Sequence, residues 1–552
     1  MGNSLRSLIL SAGMAAGAAL QARNSSTSWQ FENWDVIVVG AGPAGIIVAD
    51  RMSEAGKKTL LLEGGGSSYA ITGGTESPAW LDGSSLSRVD VPGLYKSIFS
   101  VQGDLTCQNY TTAFVGCTIG GSSAINAGLF FQPPASDFDD YFPAGWKFSD
   151  VNASISKVYA TIPASDVYSQ DKTFYLQTGY TAARKWLVDG AGFADVDLNK
   201  EANNKSKVFG RPIFDYIDGQ RGGPVRTYLQ TSLKRDNFHL QMNTRVLRVA
   251  RNGTTATGVV LAADNSTVKL APGGRVILSA GAMQSPQILM YSGIGDPSLR
   301  QNLTAGGILD GVNGWIDNAA VGDGLFDNPN TFIELEGPSI ESYTYSYTDP
   351  ISEDARAYLD TRSGPYSFAS ETSAFWDYIE NADGSKTACQ GTIDSAGYGS
   401  YTNNNTITLN VYGTSGLKSK GKVILNEKYL PSNSPEVYYS DPQDAEAIAQ
   451  FIFNIFQSLP GSGLTPLNIQ ANWTKDEIKD YITSSTEYTR GAVQHWSSSC
   501  RIGSCVDVNA QVVGTTNIHV VDASILEPLT VNPQFGTMIA AEHASELILK
   551  LK

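Results

Sequence analysis

The chain has 552 residues, which suggests more than one domain, and its 41% hydrophobic and 17% charged residues suit a globular protein with a large buried core. The net charge is −15 and no basic stripe is present, which excludes a phosphate-backbone partner; no nucleic acid is expected.

The N-terminus, MGNSLRSLILSAGMAAGAALQA, carries Arg6, an apolar stretch from Leu8 to Leu20, and the small residue Ala22. This pattern predicts a signal peptide over 1–22; it is too short for a membrane span, and a polar run follows it. Arg6 stands where a myristoylation signal wants Ser or Thr. Asn24, Asn109, Asn152, Asn204, Asn252, Asn265, Asn302, Asn404 and Asn472 each open an N-x-S/T sequon, so a secreted glycoprotein is expected. Cys107 and Cys117 are close in sequence, as are Cys500 and Cys505, and Cys389 is left over. An oxidising compartment permits two short-loop disulfides, with buried free thiols as the alternative. No Cys/His grouping has metal spacing, so no metal site is expected.

Asp35–Gly40 (DVIVVG) reads as a buried parallel strand. Ala44 to Ala55 is helix-compatible, Gly56 suits a helix stop, and Lys58–Glu63 (KTLLLE) is a second strand. This is a βαβ unit. Gly40, Gly42 and Gly45 form G-x-G-x-x-G directly after the first strand. Gly40 permits the tight turn, Gly42 a close approach to a pyrophosphate, and Gly45 tight helix–strand packing. Glu63 closes the second strand, where a carboxylate can accept hydrogen bonds from ribose hydroxyls. This predicts a dinucleotide cradle but does not separate FAD from NAD.

Further on, VLRVARNG and TTATGVVLA flank an Asn252-Gly253 turn, a hairpin signal. RVILSA (Arg275–Ala280) reads as another buried strand, followed by a helix capped by Ser285, with Pro286 at its first position and Gly293 just past its end. Residues 311 to 490 are rich in Tyr, Asn and Ser and show fewer clear helices, which predicts a mostly β, substrate-facing region. The chain closes with a strand (IHVVDA) and an apolar helix.

Three more segments carry a resemblance: GCTIGGSSAINAG (Gly116–Gly128), GAMQSPQILMYSGIG (Gly281–Gly295) and DASILEPLTVNPQFGTM (Asp522–Met538). With GAGPAG they resemble, in order, the signature segments of the glucose–methanol–choline (GMC) oxidoreductases. LLLEGGG, TGGT, GGPVRTYLQTSL, GRVILSAGA, the His495-Trp496 pair and the Cys107/Cys117 pair are similar to the flavin domain of fungal cellobiose dehydrogenases. Their haem domain has no counterpart here, and Asp394 stands where that subgroup places a sugar-contacting arginine.

The resemblance implies an α/β (α+β overall) architecture, with a Rossmann-like FAD-binding domain interleaved with a β-sheet-based substrate-binding domain. The first is expected over 33–140, 222–310 and 500–552, and the second over 141–221 and 311–499. FAD is the implied cofactor. Gly120, Gly121, Ser122 and Asn126 would lie along the flavin, and the backbone of Val246 would meet the adenine. Asp522 and Ala523 would approach the pyrophosphate and ribityl chain. Thr537 and Met538 would open the last helix near the pyrimidine edge.

Alcohol oxidation removes a proton from oxygen and a hydride from carbon, so the protein must supply a base. The chain has four histidines. His239, His519 and His543 read as structural, His239 just before a strand. His495 and Asn532 match the family's two catalytic positions, as general base and as partner of the substrate oxygen. Trp496, Tyr401, Tyr412 and Trp376 are candidates for a sugar platform. The expected partners are a small-molecule alcohol or sugar and an external electron acceptor: quinone, oxygen or a redox protein. A peroxide-producing oxidase, a lyase and a natural-product tailoring enzyme on the same fold are the alternatives.

Overall fold

The computed structural model describes residues 28–551, so the expected signal peptide and sequon Asn24 lie outside the described residues. Two sheets organise the chain. The first has seven strands. Asn33–Val39 lies between Thr59–Leu62 and Thr267–Leu278, parallel to both. Phe238–Gln241 extends this sheet beyond Thr59–Leu62, and Ile518–Val520 pairs with Val276–Leu278. Val36 to Val39 are buried on both faces, which is why the run is continuously apolar rather than alternating. Thr267–Leu278 also pairs antiparallel with Thr255–Leu261, which turns back through Gly253 (φ +58°) onto Val246–Asn252, the expected hairpin. Helix Pro43–Glu54 covers this sheet and packs against the last helix, Pro533–Lys550, where Arg51 Nε meets Glu542 at 3.0 Å.

The helix after the 267–278 strand spans Gly281–Tyr291, five residues earlier than the Ser285 cap predicts, with Pro286 inside it. Two contacts outside the helix account for this. The Asp522 carboxylate accepts from Gly281 N (2.9 Å) and Ser285 Oγ (2.6 Å), so the cap comes from a distant segment. Pro286 cannot donate to the Ala282 carbonyl one turn back, and the Ser499 hydroxyl does so instead at 2.6 Å. Gly293 (φ +72°) follows the helix end as expected.

The second sheet has eight strands. Its path runs Thr465–Pro466, Pro329–Glu336, Thr406–Gly413, Lys386–Asp394, Glu371–Glu380, Val208–Gly210 and Ala194–Asp195; Thr489–Ala492 also pairs with Pro329–Glu336. Side chains alternate across it. Ile333, Phe375, Cys389, Ile393, Leu409 and Val411 pack in one core with helix Pro442–Phe456. Asn330, Tyr412 and Gln390 stand in one cross-strand row on the opposite face. The 311–490 region holds more helix than its composition suggests: Ser352–Thr361, Pro442–Phe456 and Lys475–Thr483. The longest had readable signals in Asp441 as cap, Pro442 at the first turn, and apolar Ala445, Ile448, Ala449, Ile452 and Ile455.

Cys107–Cys117 and Cys500–Cys505 are both disulfides, and Cys389 is a buried free thiol. His239 lies inside a strand rather than before it, with Trp29 and Trp34 rings at 6.1 Å. Among the described residues, no helix is long and apolar enough to cross a membrane.

Candidate active site

The glycine turn has the geometry its spacing predicts. Gly40 adopts φ +102°, and a Cβ there would lie 2.4 Å from the Ser279 carbonyl oxygen. A Cβ on Gly45 would lie 1.9 Å from Gly40 O, so helix and strand touch backbone to backbone. A Cβ on Gly42 would meet nothing within 4 Å; that side of the turn is open, as a pyrophosphate approach requires. Gly42 precedes the helix that opens at Pro43, so the helix N-terminus faces the same opening.

The second glycine segment packs on the first. Gly120 N donates to Ala41 O at 2.8 Å, and a Cβ on Gly121 would come within 2.9 Å of Gly42 Cα. Gly121–Ala124 forms a short 3₁₀ turn that contains Ser122 and leads to Asn126. Glu63 is buried at the end of Thr59–Leu62 and accepts from Ala41 N and Gly65 N, each at 2.8 Å. Burial pushes its carboxyl up to about 7, with the backbone N–H groups pulling it back. Val246 opens its strand and is buried.

Asp522 follows the last strand as expected, and the placement of Thr537 and Met538 changes. The Asp522 carboxylate already takes Gly281 N, Ser285 Oγ, Ser524 N and Ser524 Oγ. It clasps two segments of protein, which leaves its backbone and Ala523 for a ligand. Thr537 and Met538 do not open the last helix. That helix starts at Pro533, so both lie in its second turn, where Thr537 Oγ donates to Pro533 O at 2.8 Å.

His495 and Asn532 meet. Asn532 Nδ2 is 3.2 Å from His495 Nε2, and Asn532 Oδ1 accepts from Gln390 Nε2 at 2.8 Å. Asn532 occupies the cap position of the last helix without capping it; its side chain is turned into this cluster. His495 Nδ1 is 2.9 Å from Asn328 Oδ1, and Asn328 Nδ2 donates to Gly413 O at 2.7 Å. A carbonyl only accepts, so the Asn328 amide is fixed with its oxygen toward the ring. His495 therefore carries its proton on Nδ1, and the Nε2 lone pair faces Asn532. His495 is half-buried as a residue, and loss of hydration pushes the imidazole down to about 3, so it is neutral at ordinary pH. The buried Tyr412 ring meets His495 edge to face at 5.9 Å, and its hydroxyl faces Asn532. The His495 backbone N donates to the buried Asp327 at 2.7 Å.

The family resemblance pointed to His495 and Asn532 but not to the residues that hold them. Asn328 lies 167 positions upstream in no motif, and Gln390 lies within a stretch remarked only for Asp394. Asp394 accepts from Ser370 Oγ at 3.0 Å and pairs with Lys96. Trp376 is fully buried, with Nε1 donating to Thr530 O, and is core rather than platform. Trp496 is buried, with Nε1 on Gln494 Oε1. Among the described residues, no group of His, Cys, Asp and Glu is placed to hold a metal ion.

An open glycine cradle at a helix N-terminus, with a neutral His/Asn pair beside a second sheet, has the form of a dinucleotide-binding site next to a proton acceptor. Residues 58–330 and 418–541 match the two GMC oxidoreductase profiles, more than half of the chain, and the protein belongs to that family; FAD is its cofactor. An uncharacterised GMC-type oxidoreductase of Rhodococcus erythropolis is 26% identical over 93% of this chain and 98% of its own. Pyranose dehydrogenase 3 of Leucoagaricus meleagris is 26% identical, over 94% of this chain and 93% of its own. The formate oxidase of Aspergillus oryzae superposes with a TM-score of 0.74 at 17% identity, covering 94% of this chain and 98% of that one.

Proposed function

We propose that the protein oxidises an alcohol group, on a carbohydrate or oligosaccharide, with His495 as general base. FAD, when bound, supplies the two-electron acceptor for the hydride. The hydroxyl proton of the substrate passes to His495 Nε2, whose lone pair the Asn328 contact leaves free. Asn532 Nδ2, now 3.2 Å from that nitrogen, is the donor that holds the substrate oxygen beside it. The carbinol C–H electron pair leaves as hydride, and a carbonyl product remains. Asn328 then carries the ring as imidazolium by accepting from Nδ1. The first turn of the Pro533–Lys550 helix adds the positive end of its dipole near Asn532, which favours negative charge developing there.

The observation that carries this reading is the fixed tautomer of His495 facing an uncapping Asn532. Its test is His495→Ala, which should keep FAD and lose about 10²–10⁴ in the rate of flavin reduction. Unchanged reduction removes the base assignment.

A dehydrogenase, rather than an oxidase, is supported by the pyranose dehydrogenase relative and by the motif similarity to the flavin domain of cellobiose dehydrogenases. Assaying peroxide beside quinone reduction separates the two. Secretion is supported by the leader and by the exposure of the asparagine in all eight sequons from Asn109 to Asn472. Glycosidase-sensitive mass on protein from the native medium tests it.

A further inference from the structure

Behind the cradle lies a buried polar chain that the proposed reaction does not use. Asp215 Oδ2 accepts from Gln534 Nε2 at 2.8 Å. Gln534 Oε1 accepts from Asn126 Nδ2. Asn126 Oδ1 accepts from Arg221 Nη1 at 3.0 Å and from Gly128 N at 2.9 Å. Arg221 is in turn held by the carbonyls of Val89 (3.1 Å) and Ser123 (3.3 Å). The chain has an anion at one end and a cation at the other. A carboxylate only accepts and a guanidinium only donates, so the direction of both amides between them is dictated from the ends.

The chain joins three segments that meet at the cofactor site. Asn126 ends the glycine segment packed on Gly42. Gln534 sits two residues past Asn532 in the first turn of the last helix. Asp215 lies on the substrate-side segment, which bridges to this region at Leu129–Phe214. The fold makes room for the carboxyl: a Cβ on Gly128 would lie 2.9 Å from Asp215 Oδ1, and one on Gly223 would lie 3.1 Å from Oδ2. Both glycines also adopt positive φ, at +77° and +76°. Asp215 Oδ1 and Arg221 Nη2 are buried and have no hydrogen-bond partner. A buried ion with an open valence is retained at a price in stability, which points to a role other than holding the fold.

We propose that Asp215 is a positioning residue of the flavin site, fixing through Gln534 which edge of the Asn126 amide is offered to the bound cofactor and setting the local charge there. This rests on the reading that FAD lies along Asn126. Burial pushes the Asp215 carboxyl up to about 7 against the pull of Arg221, so the carboxylate is the main form only above that pH.

The test uses the FAD-loaded enzyme and reads the midpoint potential of its flavin by spectroelectrochemistry, alongside kcat and KM. Asp215→Asn keeps an acceptor of the same shape and removes the charge. It should favour reduced flavin by about tenfold, an upward shift of about 30 mV for a two-electron couple. kcat should change while KM stays within about twofold. Gln534→Leu cuts the chain downstream and should move the same equilibrium at least about threefold, with no further shift in the double variant. If Asp215→Asn does not fold, Gln534→Leu decides alone. Potentials within about twofold of wild type in that equilibrium, or additive shifts, overturn the proposal, as does a protein that takes no FAD. A shifted potential in a flavoprotein that no alcohol reduces leaves this inference standing and removes the alcohol-oxidation reading.

Discussion

His495 Nδ1 stands 2.9 Å from Asn328 Oδ1, and that one contact decides which ring nitrogen is free. Asn328→Leu keeps the bulk and removes the acceptor. Flavin reduction should slow by about 10–100-fold with FAD still bound, because the ring loses its tautomer and its support as imidazolium. Asn328→Asp places a carboxylate at the same atom. It should raise the imidazole pKa, so the acid limb of the reduction rate moves to higher pH than in wild type. Stopped-flow reduction across pH checks both.

Much of this was legible in the sequence, for identifiable reasons. The cradle and its strands are local, set by Gly40, Gly42 and Gly45 and by apolar runs that need no distant partner. His495 and Asn532 were visible because the segments around them resemble the family's two catalytic positions. Asn328, Gln390 and Asp215 were not, because each gains its meaning from cross-strand or cross-segment register. The helix start at Gly281 was misjudged for the same reason: its cap, Asp522, and the donor that replaces the missing N–H of Pro286, Ser499, lie more than 200 residues away.

That substitution of donors is testable. Ser499→Ala strands the buried Ala282 carbonyl and should destabilise the protein by about 1–3 kcal/mol. Pro286→Ala restores a backbone N–H one turn away. In the double variant much of the loss should be recovered, so the two effects are non-additive in chemical denaturation.

Gly42 and Gly45 should fail differently. Gly42→Ala meets no protein atom and has ordinary φ (−70°), so the chain should fold with near-normal thermal stability and take up little FAD. Gly45→Ala drives a methyl into Gly40 O and should lower the thermal stability of the protein even before cofactor is added. Flavin absorbance and thermal unfolding of apo-protein separate the two.

Stability should favour mildly acidic pH. Burial pushes Asp137 and Asp215 up to about 7, Asp327 to about 6 and Glu334 to about 8. A raised carboxyl binds more protons folded than unfolded between pH 4 and its folded value, so these groups lose stability as pH rises through 6–8. His495 and His519 act oppositely: burial takes them down to about 3 and about 4, and their contribution is lost as pH falls below 6.5. With Glu63 and Glu371 also raised and His543 also lowered, the carboxyls outnumber the imidazoles, which predicts a higher Tm near pH 5.5 than at pH 8, measured by thermal unfolding across that range.

The central claim is hydride transfer from an alcohol carbon with His495 taking the proton. Anaerobic mixing of the FAD-loaded protein with sugars, oligosaccharides and aryl alcohols, followed at the flavin absorbance, tests it most directly. The account predicts that at least one of them bleaches the yellow colour, and that His495→Ala stays yellow while bleaching about 10²–10⁴-fold more slowly. Colour untouched by every alcohol, or a variant that bleaches as fast as wild type, contradicts it.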